Sequence, residues 1–179
     1  MRSAVYPGSF DPLTIAHVAI AETAIAELDL ARVEFCLSVD PLGKPHLAAT
    51  LDERVERIRS AISGRTDLCV VTSPHRLVAD IAATYDVVVL GADKWEQVLD
   101  PSWYGDDPQR RNDAVARLPL VAVAGRTGSA PSTPPEAQVH WLSVPAHLAD
   151  VSATAVRMGR TEWAADPASE PDRHTGVEE

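Results

Sequence analysis

The sequence predicts an α/β fold, a Rossmann-like doubly wound parallel sheet in a single domain. Short apolar, β-branched runs alternate with helix-periodic stretches, and such alternation gives right-handed crossovers between parallel strands. One run, Val87-Val88-Val89, is continuously β-branched, which is typical of a central strand covered on both faces. The length of 179 residues suits one domain with a substantial core. We therefore expect helices on both faces of one sheet.

The order of the elements follows from the pattern along the chain. Apolar runs rich in β-branched or aromatic residues predict strands, at residues 3–6, 32–38, 67–72, 86–90, 118–124 and 138–144. Helical periodicity and capping residues predict helices, at residues 15–28, 51–62, 77–85, 94–99 and 154–159. Thr50 or Asp52 is the expected cap of the second helix. Residues 100–107 and 128–136 show neither pattern and are expected to be loops.

The carboxyl-terminal end differs in composition from the rest of the chain. Residues 161–179 hold six acidic residues and one basic residue, Arg173. A segment rich in Pro, Glu and Asp cannot bury enough apolar surface to order itself. We therefore expect the domain to span residues 1–161 and an acidic, disordered tail to span residues 162–179.

Composition also excludes several classes of function. The net charge of −10 argues against general nucleic-acid binding, although a pocket with a local positive field can still attract phosphate. No apolar run approaches the ~20 residues that span a bilayer, and the amino terminus shows no signal-peptide pattern. We therefore expect no membrane partner and a cytoplasmic location.

Cys36 and Cys69 lie in apolar runs and are expected to be buried thiols. A homo-oligomer is left open.

Residues 8–17, GSFDPLTIAH, lead from the first predicted strand into the first predicted helix. A strand that turns onto a helix N-terminus brings unpaired N–H groups and the positive end of the helix dipole to one point, where an anion can bind. Thr14 is the expected N-cap, and His17 lies one turn later, so its ring returns to the same point. The alternative is that the two residues are only a helix cap and a surface histidine.

A second stretch, residues 151–158, has a similar arrangement at the last predicted helix. Ser152 or Thr154 is the expected cap, and Arg157 reaches back toward the start of the helix. The alternative is an ordinary cap with a solvated arginine.

Both stretches resemble signatures of the nucleotidyltransferase superfamily. Residues 8–17 resemble G-x-F-D-P-x-[HT]-x-G-H, with Ala16 in place of a glycine. Residues 151–157 resemble I-S-S-T-x-x-R, with Ala153 in place of the second serine. The resemblance implies that two segments far apart in the chain form one site for a nucleoside triphosphate.

Other motifs resemble particular branches of this superfamily. Gly91 and Asp93 after a strand, followed by Trp103, resemble the G-x-D and tryptophan of nicotinate mononucleotide adenylyltransferases, and Arg126 resembles an arginine of that branch. Residues 40–46 resemble its P-x-x-P-H-K loop with a displaced lysine, Lys44. Residues 6–14 are more similar to phosphopantetheine adenylyltransferases, a branch that Lys44 also suits. Asp93 as a helix cap and Trp103 as a packed aromatic are the alternatives.

The resemblance implies transfer of AMP from ATP to a phosphomonoester with release of pyrophosphate. Nicotinate mononucleotide is the preferred acceptor; phosphopantetheine, a cytidylyl donor and a decayed nucleotide-binding protein, suggested by Ala16 and Ala153, remain open. The attacking phosphate is already anionic, so positioning and fixed donors supply the catalysis and no base is needed. Mg²⁺ is expected on the substrate phosphates, with no metal site of the protein's own. The expected catalytic residues are Thr14, His17, Lys44 and Arg157. The expected substrate-binding residues are Gly8, Ser9, Phe10, Gly91, Asp93, Arg126, Ser152 and Thr154.

Overall fold

The computed structural model describes residues 1–41, 47–125 and 133–165. Within these ranges six strands form one all-parallel sheet, which confirms the predicted fold class. The strands are β1 (Ser3–Pro7), β2 (Arg32–Ser38), β3 (Leu68–Ser73), β4 (Val87–Gly91), β5 (Leu120–Ala124) and β6 (Val139–Leu142). Their order in the sheet is β3-β2-β1-β4-β5-β6. The direction of winding therefore reverses between β1 and β4, the place where ligands bind in open α/β sheets.

Helices connect the strands over both faces of this sheet. They are α1 (Ile15–Leu28), α2 (Leu51–Ala61), α3 (Val78–Ile81), α4 (Ala92–Leu99), α5 (Pro108–Ala116) and α6 (Ala153–Arg157). Short 3₁₀ helices cover Pro101–Tyr104, Ala146–Leu148 and Thr161–Trp163. No helix in the described ranges is both long and apolar enough to span a bilayer.

The two faces of the sheet carry separate apolar layers. On one face Phe35 and Leu37 of β2 pack with α1 and α2, where Ile58 is fully buried. On the other face Val88 of β4 packs with α3, α4 and α5, where Trp95 is fully buried. Alternate residues of a strand point to opposite faces, so the strands are apolar on both sides. The sheet is therefore a rigid, fully covered base for whatever lies at its carboxyl edge.

Two helices differ from the sequence prediction. The helix expected over residues 77–85 ends at Ile81. The chain then turns because Tyr85 donates its hydroxyl to Glu34 and the Asp86 carboxylate accepts from the Ser3 N–H, which draws these residues toward the sheet. Helix α5 lies where no helix was expected, started by Asp107, whose carboxylate accepts from two N–H groups of its first turn.

Residues 162–165, which we assigned to the tail, contact the segment that leads into α1. Ala164 forms an isolated antiparallel bridge with Thr14, and the Ala165 N–H donates to the Leu13 carbonyl at 3.0 Å. Residues 162–165 therefore contact the segment before α1. The rest of the predicted tail, residues 166–179, lies outside the described residues.

Candidate active site

A cavity of about 1020 Å³ lies at the carboxyl ends of β1, β4 and β5. Its walls combine residues from both ends of the chain. The predicted site residues that line it are Gly8, Ser9, Phe10, His17, Gly91, Asp93, Ser152, Thr154 and Arg157. The structure therefore brings the first and last motifs together over the point where the winding of the sheet reverses. Lys44 and Arg126 lie outside the described residues.

Thr14 lies behind His17 rather than in the cavity wall. Its side chain is fully buried, and its hydroxyl contacts His17 Nδ1 at 2.8 Å while its backbone N–H donates to the same nitrogen at 3.0 Å. These contacts form a capping box in which His17 replaces the usual acidic residue. The expected N-cap is confirmed, because the Thr14 hydroxyl accepts from the His17 N–H at 3.4 Å. Thr14 therefore supports His17 and does not itself line the cavity, although it was expected among the catalytic residues.

This arrangement determines which nitrogen of His17 holds a proton. Nδ1 accepts from the Thr14 N–H, so a neutral imidazole has its proton on Nε2. The ring also packs against Phe10, with a centroid distance of 5.1 Å and nearly perpendicular planes. His17 therefore reaches the cavity as an oriented N–H donor, which is suited to an oxygen of a phosphate.

The loop between β1 and α1 has a conformation that its sequence explains. A Cβ at Gly8 would approach the Phe10 ring to 2.5 Å, so only glycine fits there. Phe10 itself has a φ of +45°, a left-handed conformation that is costly for a large side chain. Its ring is held by edge contacts with Tyr6 and Phe35. Packing of this aromatic group therefore holds the backbone of the loop in place.

Asp11 supports the loop from within. It is only 4% exposed, and its carboxylate accepts from the Ala48 N–H at 2.7 Å. Within the described residues no cluster of three His, Cys, Asp or Glu side chains is suited to a metal ion. The engaged Asp11 carboxylate fits a structural role in the loop.

Arg157 joins the last helix to the first loop. Its guanidinium donates to the Asp11 carbonyl and, at 3.0 Å, to the Thr154 hydroxyl. Ser152 is the cap of α6, since its hydroxyl accepts from the Ala155 N–H. Of the two caps considered, Ser152 has this role, and Thr154 instead orients Arg157. Ala16 and Ala153, which replace signature residues, both line the cavity.

A smaller cavity of about 70 Å³ adjoins the first beneath β1 and β2. The two share part of their lining: Pro7, Gly8, Ser9, Lys94 and Gln97. The smaller one is completed by two aromatic residues, Trp103 and Tyr104, and by one cation, Arg76, which lies 3.3 Å from Asp40. Trp103 and Tyr104 therefore place part of the 100–107 segment in the wall of the smaller cavity. Burial raises the pKa of Cys36 in this wall to about 11, so the thiol stays protonated.

Sequence reasoning missed Arg54 of α2, which is only 3% exposed and contacts the first loop. The signal was present, because Arg54 follows Leu51 by three residues and precedes Ile58 by four, so it lies on the apolar face of the helix. A charged residue on such a face is buried only when it has hydrogen-bond partners. Lys94 of α4, also overlooked, lines both cavities.

A doubly wound sheet with paired helix starts at its switch point is typical of nucleotide-binding α/β proteins. Comparison with known families agrees, because the cytidylyltransferase-like family model matches residues 5–159. The chain belongs to this cytidylyltransferase-like family of nucleotidyltransferases.

Curated relatives fall into two groups. A probable nicotinate-nucleotide adenylyltransferase of Bordetella avium is 30% identical over 168 residues, which cover 90% of this chain and 83% of that protein. Another from Methylibium petroleiphilum is 27% identical and covers 87% and 77%. A phosphopantetheine adenylyltransferase of Heliobacterium modesticaldum is 48% identical, but over 63 residues, 35% of each chain.

Proposed function

We propose that the protein transfers AMP from ATP to nicotinate mononucleotide and releases pyrophosphate. The observation that carries this proposal is the pair of adjoining cavities at the switch point of the sheet. The larger one has two helix starts and oriented cationic or N–H donors, which suit a triphosphate. The smaller one has aromatic side chains, which suit a flat ring. The Gly8–Ser9 segment borders both, so two substrates would meet there.

The proposed reaction requires the protein to position the two substrates and to stabilise the charge on the phosphoryl oxygens. An oxygen of the acceptor phosphate forms a bond to the α-phosphorus of ATP. The bond from that phosphorus to the bridging oxygen breaks, and pyrophosphate leaves with the electron pair. His17 Nε2–H and the Arg157 guanidinium would stabilise the charge on the phosphoryl oxygens. Mg²⁺ on the substrate phosphates would neutralise further charge, and its presence stays a prediction.

The acceptor assignment has two supports. Trp103 and Tyr104 line the smaller cavity, so a planar ring could be held there, and Lys94, which lines both cavities, could contact an anionic group at their border. Relatives named for nicotinate nucleotide also match this chain over most of its length.

The direct test is product formation from defined pairs of substrates. Purified protein is incubated with Mg·ATP and nicotinate mononucleotide, and the dinucleotide and pyrophosphate are quantified. Nicotinamide mononucleotide and replacement of ATP by CTP are the matched controls, and both are expected to react more slowly. Absence of the dinucleotide with nicotinate mononucleotide would exclude this acceptor.

Asp93 offers a second test of the same site. It lies in the first turn of α4 and lines the larger cavity. We expect Asp93→Ala to raise the KM of the acceptor or of ATP, because a carboxylate there can accept from ribose hydroxyl groups. Gly91 is the N-cap of α4 and no side chain caps this helix, so wild-type kinetics for both substrates would leave Asp93 as a first-turn residue with no part in binding.

Phosphopantetheine is the second candidate acceptor. It is favoured by the residues 6–14 motif and by the relatives of that name that match about a third of the chain. The same assay with 4′-phosphopantetheine distinguishes the two. Calorimetry that shows ATP binding, with no turnover of any acceptor, would instead favour a decayed nucleotide-binding protein.

A further inference from the structure

Arg54 is a buried cation directly behind the loop that borders both cavities. Its Nη1 donates to the Ser9 carbonyl at 2.9 Å, and its Nε donates to the Thr50 carbonyl at 3.3 Å. Burial lowers the pKa of this guanidinium, and the nearby negative charge of Asp11 opposes that shift. Arg54 does not line either cavity, so its effect on a substrate must pass through the loop.

Because of the geometry of the peptide bond, the contact between Arg54 and the Ser9 carbonyl also fixes the direction of the next N–H group in the loop. The bond between Ser9 and Phe10 is trans, since Asp11–Pro12 is the cis bond in the described chain. In a trans peptide the carbonyl and the following N–H point in opposite directions. Because Arg54 holds the Ser9 carbonyl toward α2, the Phe10 N–H points away from α2.

The left-handed φ of Phe10 makes this peptide orientation costly without support. A non-glycine residue in that region costs of order 1–3 kcal/mol and persists where its surroundings hold it. Packing holds the Phe10 ring, and Arg54 holds the peptide in front of it. The two constraints act on the same two residues of the cavity wall.

We propose that Arg54 is a positioning residue of the nucleotide site, which keeps the Phe10 N–H directed at a phosphate oxygen by holding the Ser9 carbonyl. The inference rests on the proposed nucleotide site but not on the identity of the acceptor. An N–H that is oriented before the reaction stabilises charge that develops on the α-phosphate, so its loss lowers kcat more than it raises KM.

The kinetic test compares three variants of the same helix. Arg54→Met keeps the length of the side chain but removes the donors, and Arg54→Lys restores one donor. Arg57→Met is the matched control, because Arg57 is an exposed residue of α2. We expect Arg54→Met to lower kcat about tenfold or more with a change in the KM for ATP below about threefold. Arg54→Lys should recover part of this loss, and Arg57→Met should behave as wild type.

A second measurement follows the response of the loop to a bound nucleotide analogue in the absence of catalysis. The ¹⁵N–¹H signals of Phe10 and Thr154 are followed while Mg²⁺ and the non-hydrolysable analogue α,β-methylene-ATP are added. In wild type both signals should shift; in Arg54→Lys the Phe10 shift should shrink while the Thr154 shift remains. If Arg54→Met does not fold, the comparison of Arg54→Lys with wild type tests the positioning role of Arg54.

The outcomes separate the two proposals. Wild-type kcat in a folded Arg54→Met, or a lowered kcat in Arg54→Lys with an unchanged Phe10 shift, would overturn the positioning role. Loss of thermal stability with unchanged kcat at low temperature would also overturn it. A wild-type protein that binds the analogue but makes no dinucleotide would reject the acceptor alone.

Discussion

The two helix starts that face the larger cavity are built in different ways. Helix α1 has fourteen residues, a fully buried cap in Thr14 and a second attachment at its far end, where Glu27 contacts β6. Helix α6 has five residues, a partly exposed cap in Ser152, and an exposed Met158 directly after it. The first start is part of the core, whereas the second is attached to the loop through Arg157.

This contrast teaches that stability and chemistry are combined at one helix start and separated at the other. A change in the Thr14–His17 pair disturbs both the fold and the donor that it presents. A change at Arg157 disturbs a surface attachment and the proposed contact with substrate. The predictions below test this division, from the largest expected effect to the smallest.

Replacement of His17 should have the largest effect. We expect His17→Ala to lower kcat by about 100- to 1000-fold, because an oriented donor to the phosphoryl oxygens is lost. His17→Asn is the informative partner, since its side-chain oxygen can still accept from the Thr14 N–H without offering Nε2–H. Thermal unfolding and pyrophosphate release measured together should show His17→Asn as the more stable of the two and equally inactive. Near-wild-type turnover of His17→Ala would remove His17 from catalysis.

Thr14→Val should weaken both properties at once. Loss of the hydroxyl costs about 1 kcal/mol of stability at a helix cap and releases one contact on His17 Nδ1, which we expect to lower kcat about tenfold. Thr14→Ser keeps the hydroxyl and should recover most of both. Urea unfolding and steady-state kinetics of the two variants check this. A stability loss with unchanged kcat would make Thr14 only a cap.

Arg157→Ala should affect binding and leave stability nearly unchanged. We expect the KM for ATP to rise about tenfold, the usual size of one lost charge-assisted hydrogen bond. Arg160→Ala is the matched control, because Arg160 lies over the Trp163 ring on the surface and does not line either cavity. Calorimetric titration with Mg·ATP measures the difference. Unchanged affinity in Arg157→Ala would return this residue to a solvated surface role.

Glu27→Gln should have the smallest effect. The contact with His140 at 2.7 Å, with help from the Ser143 N–H, lowers the pKa of Glu27 from its ordinary 4.5. A lowered pKa stabilises the fold above the unfolded-state value, and this contribution is lost as pH falls through the folded-state value. The carboxylate is near solvent, so the gain is small. Melting temperatures from pH 3 to 7 should show the wild type slightly more stable than the variant at pH 7, with the difference shrinking as pH falls. Equal melting temperatures at pH 7 would show that the contact has no net effect.

Sequence reasoning predicted the elements whose signals are local and redundant. Helix α1 was predicted with its observed bounds because its cap and its apolar period agree. Helix α5 was missed because its start signal, Asp107 followed by proline, stands before a stretch without a strong apolar face. Spacing likewise placed Thr14 near His17 but could not give the direction of the hydroxyl, which depends on the packing behind the helix.

The contacts of Arg54 could not be derived in the same way. Its position on the apolar face of α2 was visible, but its partner is a backbone carbonyl forty-five residues earlier. Every residue has a backbone carbonyl, so the residue type at the partner position does not reveal a hydrogen bond to the backbone. Cavities built from such contacts are therefore recognised in sequence only by the side chains that line them.

The bond between Arg157 and the Asp11 carbonyl spans 146 residues of chain. A ribosome adds residues in order, so the nascent protein makes the amino-terminal half of the proposed nucleotide site long before the other half. Residues 1–150 alone would carry His17 on a covered sheet and yet lack the guanidinium that ties this loop to α6. The proposed nucleotide site is thus completed only after α6 has been synthesised.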